Sequence, residues 1–197
     1  MERADLIPFT SMISDIKNER DINDFYPTPK CAIDPLLEKE EFQSVIWEPA
    51  CGDGAISKVL KNNGYKVFSG DLIDRGYGEY FADFLKIPID FFEAEGSFNF
   101  AYDIITNPPF KLAQEFIEKA LSFRNCNRVA IFARLGFLES KKRKVLFENT
   151  PLQKVYVFSW RVPMWRRGEV RSGGKNMPFA WYIWCKGYEG DPTLHWI

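Results

Sequence analysis

The chain has 197 residues, enough for one sizeable domain, and its 46% hydrophobic content indicates a packed core. Its formal net charge of −1 excludes attraction to nucleic acid by bulk positive charge, so a nucleic-acid surface would require local segregation of charge. Four scattered cysteines without a CxxC pair, together with a single histidine, argue against a metal site. A charged N-terminus and the absence of a long apolar run predict a cytoplasmic protein without a membrane partner.

Strands and helices alternate along the predicted chain. Residues 1–24 are polar and are expected to form an arm or a lead-in helix, while residues 25–197 are expected to form one domain. The segment over 25–29 is extended by its two prolines, and Pro35 marks a break or a late start in the first helix. Up to residue 70 the pattern predicts a helix over 30–40, a strand over 44–48, a helix over 55–63 and a strand over 65–70.

The second half of the chain continues this alternation after an irregular stretch over 74–96. The pattern there predicts a strand over 102–106, an amphipathic helix over 112–123, a strand over 128–133, a basic helix over 138–147, a strand over 155–158, a loop over 159–178 and a final aromatic strand over 179–185. Such alternation implies an α/β fold, with a mostly parallel central sheet and helices on both faces.

A glycine loop connects the first predicted strand to the helix after it and reads Glu48-Pro-Ala-Cys-Gly-Asp-Gly54. Gly52 and Gly54 have no side chain, so the turn can be tight and a ligand can lie against the backbone. Asp71 ends the next strand, where an acid can accept hydrogen bonds from ribose hydroxyls. Ser57 stands where a dinucleotide fingerprint has its third glycine, which disfavours an NAD(P) oxidoreductase.

The tetrapeptide Asn107-Pro-Pro-Phe110 follows the predicted strand over 102–106. Two consecutive prolines stiffen the chain at the carboxyl end of a strand, the edge where open α/β sheets bind ligands. An exocyclic base amine is a poor nucleophile, because its lone pair is delocalised into the ring. The Asn107 side-chain oxygen and the Pro108 carbonyl can accept its two hydrogens and turn the lone pair toward a methyl donor, while Phe110 offers a face for the base.

In the order of these motifs the chain, from about Phe25 to its C-terminus, resembles the Rossmann-like amino-methyltransferases, specifically the adenine-N6 DNA methyltransferases that include small phage and prophage members. The resemblance implies that S-adenosylmethionine is the cofactor and that its methyl group is transferred to adenine N6. The implied cofactor contacts are Tyr26 and Thr28 before the first helix, Glu48, Pro49, Ala50, Gly52 and Gly54 in the glycine loop, Asp71 at the ribose, Asp83 and Phe84 at the adenine, and Asn107. The implied catalytic residues are Asn107, Pro108, Pro109 and Phe110.

The motif order is similar to the gamma arrangement of that family, whose members often carry a large C-terminal recognition domain. The sequence shows no such domain, so contact with DNA, duplex in preference to single strand, is expected from a basic loop over 160–178. This loop contains two tryptophans, a single acid, and the cations Arg161, Arg166, Arg167, Arg171 and Lys175. This composition suits phosphate contacts and base stacking, and it is equally typical of an ordinary solvated surface loop.

Other functions remain open on the sequence. The same tetrapeptide chemistry serves cytosine N4, guanine N2 in ribosomal RNA and the side-chain amide of protein glutamine, although asparagine at position 107 favours adenine over cytosine. A non-catalytic nucleic-acid-binding module on the same fold belongs to a different class of protein. The intact tetrapeptide Asn107-Pro-Pro-Phe110 argues against that module, because a module without activity does not need it.

Overall fold

The computed structural model describes residues 25–91, 100–164 and 177–197. The strands in these ranges form one sheet and are β1 (Val45–Glu48), β2 (Lys66–Asp71), β3 (Tyr80–Phe81), β4 (Tyr102–Thr106), β5 (Cys126–Arg134), β6 (Leu152–Val157), β7 (Phe179–Cys185) and β8 (Thr193–Trp196). The α-helices there are α1 (Lys30–Lys39), α2 (Ala55–Asn62), α3 (Ala113–Ser122) and α4 (Lys141–Glu148). The arm or lead-in helix predicted for residues 1–24 lies outside the described residues.

The strand order brings the carboxyl ends of most strands to one edge of the sheet. Across the sheet the order is β3-β2-β1-β4-β5-β7-β6-β8. β1 pairs in parallel with both β2 and β4, and β5 extends this parallel set beyond β4. β7 is antiparallel to both β5 and β6, so β6 points the same way as β5. From β1 the chain continues toward one side of the sheet and from β4 toward the other, and ligands of open α/β sheets bind at such a switch point.

Helices cover both faces of the sheet, because each buries the apolar stripe of an amphipathic sequence. α1 and α2 pack on one face, where Ile33 and Leu60 are fully buried in one core cluster. α3 and α4 pack on the other face, where Ile117 and Leu146 belong to a second cluster. The predicted α/β architecture, mostly parallel with helices on both faces, is therefore confirmed.

Most predicted elements exist within three residues of their expected bounds, and the strands over 102–106 and 179–185 match them. The predicted break at Pro35 is wrong, because α1 runs through this proline without interruption. The strand over 179–185 is not the last, because β8 follows it with four exposed residues that show no alternation of burial. Within its described part, the irregular stretch over 74–96 contains the two-residue β3 and a 3-10 turn over Phe84–Lys86.

A buried carboxylate joins the end of α1 to β5 and β6. Glu40 is 4% exposed and accepts hydrogen bonds from Arg128 Nη1 at 2.9 Å, from Lys154 Nζ at 2.6 Å and from the Tyr156 hydroxyl. Burial, together with the bond to Glu40, raises the pKa of Tyr156, so this hydroxyl remains a donor at neutral pH. Two cations and a hydroxyl around one carboxylate offset the cost of removing its charge from water.

Replacing Glu40 by alanine should lower the free energy of unfolding by about 3 kcal/mol, because it leaves two largely buried cations without a counter-charge. The control is Glu148→Ala on α4, whose partner Lys144 lies 3.4 Å away and whose ion pair is mostly exposed. That change should cost less than about 1 kcal/mol. Urea unfolding of the two variants measures both values, and equal losses would contradict a structural role for the Glu40 network.

Candidate active site

A cleft opens at the edge of the sheet where β1, β2 and β4 end. It contains about 910 Å³ of empty space, part of it continuous with bulk solvent. Its walls come from the segment before α1, the glycine loop, the turn after β2, the 3-10 turn and the end of β4. The predicted site residues that line it are Tyr26, Thr28, Glu48, Pro49, Ala50, Asp71, Asp83, Phe84, Asn107 and Pro109.

The two glycines of the loop after β1 have left-handed backbone conformations, with φ of 58° at Gly52 and 81° at Gly54. A Cβ atom at Gly52 would lie 2.2 Å from the ring of Phe25, and one at Gly54 would lie 2.5 Å from the ring of Tyr77. The expectation of a tight turn is therefore met. The space beside both glycines is filled by the chain's own rings, however, and the loop meets the cleft at its other residues, 48–51 and 53.

Asp71 anchors this loop from the end of β2. Its Oδ2 accepts a hydrogen bond from the backbone N–H of Gly52 at 2.8 Å, and its Oδ1 accepts one from Ile73 at 2.9 Å. These bonds fix the carboxylate at the cleft wall, and each oxygen keeps a second lone pair for a ligand hydroxyl. The position suits the ribose contact that the resemblance implies.

Glu48 closes the floor of the cleft and is only 1% exposed. It accepts a hydrogen bond from the Ser57 hydroxyl, which lies 2.7 Å from the hydroxyl oxygen of Ser69. Burial raises the pKa of Glu48 well above its ordinary value, outweighing the Ser57 hydrogen bond, which lowers it. This carboxyl group therefore holds its proton over a wider pH range than a solvated one, and it links β1 to α2 and β2.

The Asn107 amide is oriented by the segment before α1. Its Nδ2 donates to the Tyr26 carbonyl at 3.1 Å and to Thr28 Oγ1 at 3.0 Å. Because both amide hydrogens are engaged there, Oδ1 is the atom that can accept a hydrogen bond from a ligand. Pro109 lines the cleft beside Asn107, whereas Pro108 is buried.

The ring of Phe110 has surroundings that the sequence did not indicate. It stacks on Tyr26 at a centroid distance of 5.8 Å and packs against Phe179 at 6.0 Å. The guanidinium carbon of Arg134 lies 4.4 Å from its centroid. Phe110 is not among the described residues that line the cleft, so it adjoins the cleft from the side of β5 and β7.

Asp83 and Phe84 both line the cleft, and each also has a structural role. Asp83 caps the 3-10 turn by accepting a hydrogen bond from Leu85 N at 3.1 Å, and it forms an ion pair with Lys86 at the same distance. Phe84 is 2% exposed, and its ring meets that of Trp47 edge-on at 5.2 Å. Contact of this pair with an adenine ring stays a prediction.

Sequence reasoning missed further residues of the cleft wall. Asp53 Oδ1 is buried without a hydrogen-bond partner among the described residues, so it is an acceptor available to a ligand. The guanidinium of Arg75 lies 4.3 Å from the centroid of the Phe25 ring. Burial raises the pKa of the Cys51 thiol to about 12, so this thiol is neutral. The position of Asp53 between Gly52 and Gly54 could have indicated that it lines the cleft. Arg75 lies in the irregular stretch over 74–96, where the sequence has no periodic pattern.

Most of the predicted nucleic-acid contacts, namely Arg166, Arg167, Arg171 and Lys175, lie outside the described residues. Arg161 is described, and it is exposed beyond the end of β6. Across 25–91, 100–164 and 177–197, no group of His, Cys, Asp or Glu side chains is arranged to hold a metal ion. No helix in those ranges is long and apolar enough to cross a membrane.

Replacing Glu48 by glutamine should change how stability depends on pH. The native state retains a proton on Glu48 that the unfolded chain loses above its ordinary pKa of 4.5, so wild-type stability falls as pH rises past that value. Glutamine does not ionise. The free energy of unfolding of the variant should therefore rise relative to that of wild type by up to about 1.4 kcal/mol for each unit by which the pH increases above 4.5. Urea unfolding between about pH 4 and pH 7 measures this difference, and a difference independent of pH would mean that Glu48 is not buried as a neutral acid.

The sequence matches no protein-family model and no curated protein. A modification subunit assigned to a type I restriction enzyme of Vibrio vulnificus aligns with a TM-score of 0.58 at 14% identity over 96% of this chain, which spans 50% of that subunit. A Pyrococcus horikoshii protein assigned as an RNA methyltransferase aligns with a TM-score of 0.59 at 14% identity, over 92% of this chain and 99% of that one. The 23S rRNA methyltransferase ErmE aligns with a TM-score of 0.55 at 14% identity, over 84% of this chain and 73% of that one. At these identities the likeness shows the fold, which is the α/β methyltransferase fold.

Proposed function

We propose that this protein transfers a methyl group from S-adenosylmethionine to an exocyclic base amine, with adenine N6 in DNA as the substrate. The observation that carries the proposal is the orientation of the Asn107 amide, whose nitrogen is held by Tyr26 and Thr28 and whose oxygen is the acceptor for an amine. This amide lies in the same cleft as Asp71 and the glycine loop. One site thus combines an acceptor for a substrate amine with a wall suited to a nucleoside.

The charges of the cleft suit a cationic cofactor with hydroxyl groups. Of the acids that line the cleft, Glu48 is buried with a raised pKa and Asp83 is paired with Lys86. Asp53 and Asp71 form no ion pair among the described residues, and they share the walls with one cation, the guanidinium of Arg75. This excess of acid favours a sulfonium ion and an amino group, and it disfavours the pyrophosphate of NAD(P). Asp71 would hold the ribose hydroxyls, and the unpartnered Asp53 Oδ1 would accept a hydrogen bond from a polar group of the cofactor.

The chemistry required of the chain is activation of the amine. When bound, S-adenosylmethionine supplies a methyl group on a positively charged sulfur, which is already a good leaving group. Asn107 Oδ1 would accept one hydrogen of the target amine and the Pro108 carbonyl the other. Two acceptors draw the nitrogen from planar toward tetrahedral geometry. Its lone pair is then less conjugated with the ring and can point at the methyl donor. Catalysis then rests on orientation and fixed dipoles.

The proposed transfer does not require a general base, because the amine proton can leave after the new N–C bond has formed. Glu48 is poorly suited to that task, since burial raises its pKa and Ser57 donates a hydrogen bond to its carboxyl group. Its role is to connect β1 with α2 beneath the glycine loop.

The choice of adenine in DNA rests on two features of the sequence. Asn107 stands where enzymes for cytosine N4 more often have serine, and the basic loop over 160–178 has a composition suited to phosphates. In duplex DNA the target base would have to be flipped out of the stack to reach the cleft. The structures with similar folds include proteins named for DNA modification and for RNA methylation, so RNA belongs in every assay as a competing substrate.

Asn107→Ala should lower turnover by about 10²–10³, because one oriented acceptor of the transition state is lost. Affinity for S-adenosylmethionine should fall much less. Thr28→Val removes one of the two groups that orient the amide and should give a smaller loss of turnover. Transfer of a tritiated methyl group to DNA measures turnover, and calorimetry measures cofactor affinity.

The matched control for Asn107→Ala is Asn149→Ala. The Asn149 side chain donates to the Val145 carbonyl at 2.7 Å at the end of α4, away from the cleft, so turnover should be unchanged. Full turnover in Asn107→Ala would remove the tetrapeptide from the mechanism, whatever the fold.

Asp71→Ala should weaken binding of S-adenosylmethionine by about 1.5–3 kcal/mol, the range for hydrogen bonds to a charged acceptor. Asp74→Ala is the control, because Asp74 is an exposed acid in the same turn that accepts a hydrogen bond from Gly76 N at 2.8 Å. Calorimetry with all three proteins compares the affinities. If Asp71→Ala binds as tightly as Asp74→Ala, the proposed ribose contact is wrong.

A further inference from the structure

Arg134 is a half-buried cation at the end of β5, the strand next to β4. Among the described residues, its buried Nε atom has no hydrogen-bond partner and its guanidinium forms no ion pair. A buried donor without an acceptor is costly, and a charged one more so. The structure therefore supplies a cation whose counter-charge has to come from outside the described part of the chain.

The backbone holds Arg134 firmly in this position. It pairs with Phe179 in the antiparallel ladder between β5 and β7, and its carbonyl accepts a hydrogen bond from the Tyr182 hydroxyl at 3.1 Å. Its guanidinium carbon lies 4.4 Å from the centroid of the Phe110 ring. The Arg134 guanidinium thus contacts the ring of Phe110, the last residue of the tetrapeptide that begins with Asn107.

The location of Arg134 separates it from the cofactor walls. It is not among the described residues that line the cleft, whereas Arg75 is. β4 and β5 are adjacent parallel strands, so Asn107 and Arg134 lie at the same edge of the sheet, with Arg134 three residues beyond Ile131, the partner of Thr106. β6 runs in the same direction as β5, so the exposed residues Trp160 and Arg161 follow the end of a strand at this same edge.

We infer that Arg134 binds a backbone phosphate of the nucleic-acid substrate, next to the nucleotide whose base is methylated. The inference rests on the proposed function in taking a nucleic acid as the substrate. A phosphate matches the guanidinium because its oxygens accept two parallel hydrogen bonds from the fork of N–H groups. Bound at the terminal N–H groups, it would supply the negative charge that no acid among the described residues supplies to this side chain. Arg134 would then position the substrate while Asn107 acts on the amine.

Arg143 provides a matched control, because it too lies over a phenylalanine. Its guanidinium carbon is 4.5 Å from the centroid of Phe137, and its Nη1 donates to the carbonyls of Gly136 at 3.1 Å and Glu139 at 3.3 Å. Both arginines thus have a ring contact, and they differ in whether the described residues supply hydrogen-bond acceptors. A specific effect at Arg134 would therefore reflect the missing counter-charge and not the loss of a cation on a ring.

The test is a salt series of binding titrations with a fluorescent DNA duplex and with RNA of the same sequence. R134Q should lower the slope of log affinity against log salt by about 1, and affinity at moderate salt by about tenfold. R134K keeps the charge and should keep the slope, and R143Q should match wild type. R134M, which retains an apolar stem over Phe110, replaces R134Q if thermal unfolding shows that R134Q does not fold.

A wild-type slope in R134Q or R134M, or no binding of wild type to either polymer, would overturn the inference. Methyl transfer, assayed separately, distinguishes this failure from failure of the proposed function. If wild type methylates DNA while R134Q keeps the wild-type slope, the phosphate contact is wrong and the proposed function stands. If R134Q loses one unit of slope but no base is methylated, the phosphate contact stands and the proposed function is wrong. A loss of slope on RNA alone supports the contact and assigns RNA as the substrate.

Discussion

Two hydrogen bonds from the Asn107 amide nitrogen connect parts of the chain that lie 79 and 81 residues apart. They fix the end of β4 against the segment before α1, and this segment also places the ring of Phe25 against Gly52. No side chain fits at Gly52, because its Cβ would lie 2.2 Å from that ring. The direction of the Asn107 amide and the shape of the glycine loop therefore depend on the same short segment. The site thus combines residues that precede β1 with a residue that follows β4.

The acid far from the cleft and the acids at the cleft have different hydrogen-bond partners. Away from the cleft, Glu40 forms ion pairs with Arg128 and Lys154, and these contacts contribute to stability. At the cleft, Glu48 accepts a hydrogen bond from the Ser57 hydroxyl, and burial raises its pKa. Asp71 takes backbone N–H donors instead of cations. Asp53 and Asp71 thus give the cleft acceptors that no ion pair among the described residues neutralises, and such a wall favours a ligand with positive charge and hydroxyl groups.

Much of the site could be predicted because its residues follow strands that the sequence marks clearly. Asp71 and Asn107 each end an apolar run, and the carboxyl ends of parallel strands meet at one edge of a sheet. Contacts between distant segments carry no such signal, so the Phe25 ring on Gly52 and the Arg134 guanidinium on Phe110 were not foreseen. β8 was missed for a related reason: its residues are exposed, and only its pairing with β6 makes it a strand.

Asn107 is proposed to hold adenine N6, and identifying the atom that receives the methyl group tests this proposal. Wild-type protein would be incubated with S-adenosylmethionine carrying a tritiated methyl group and, in separate reactions, with DNA, RNA and a protein pool. Each product would be digested and its nucleosides or amino acids separated. Methyl transfer to adenine N6 in DNA predicts label in N6-methyl-2′-deoxyadenosine from the DNA reaction. Label on cytosine, in RNA or on glutamine without labelled deoxyadenosine, or no label from any pool, would contradict it.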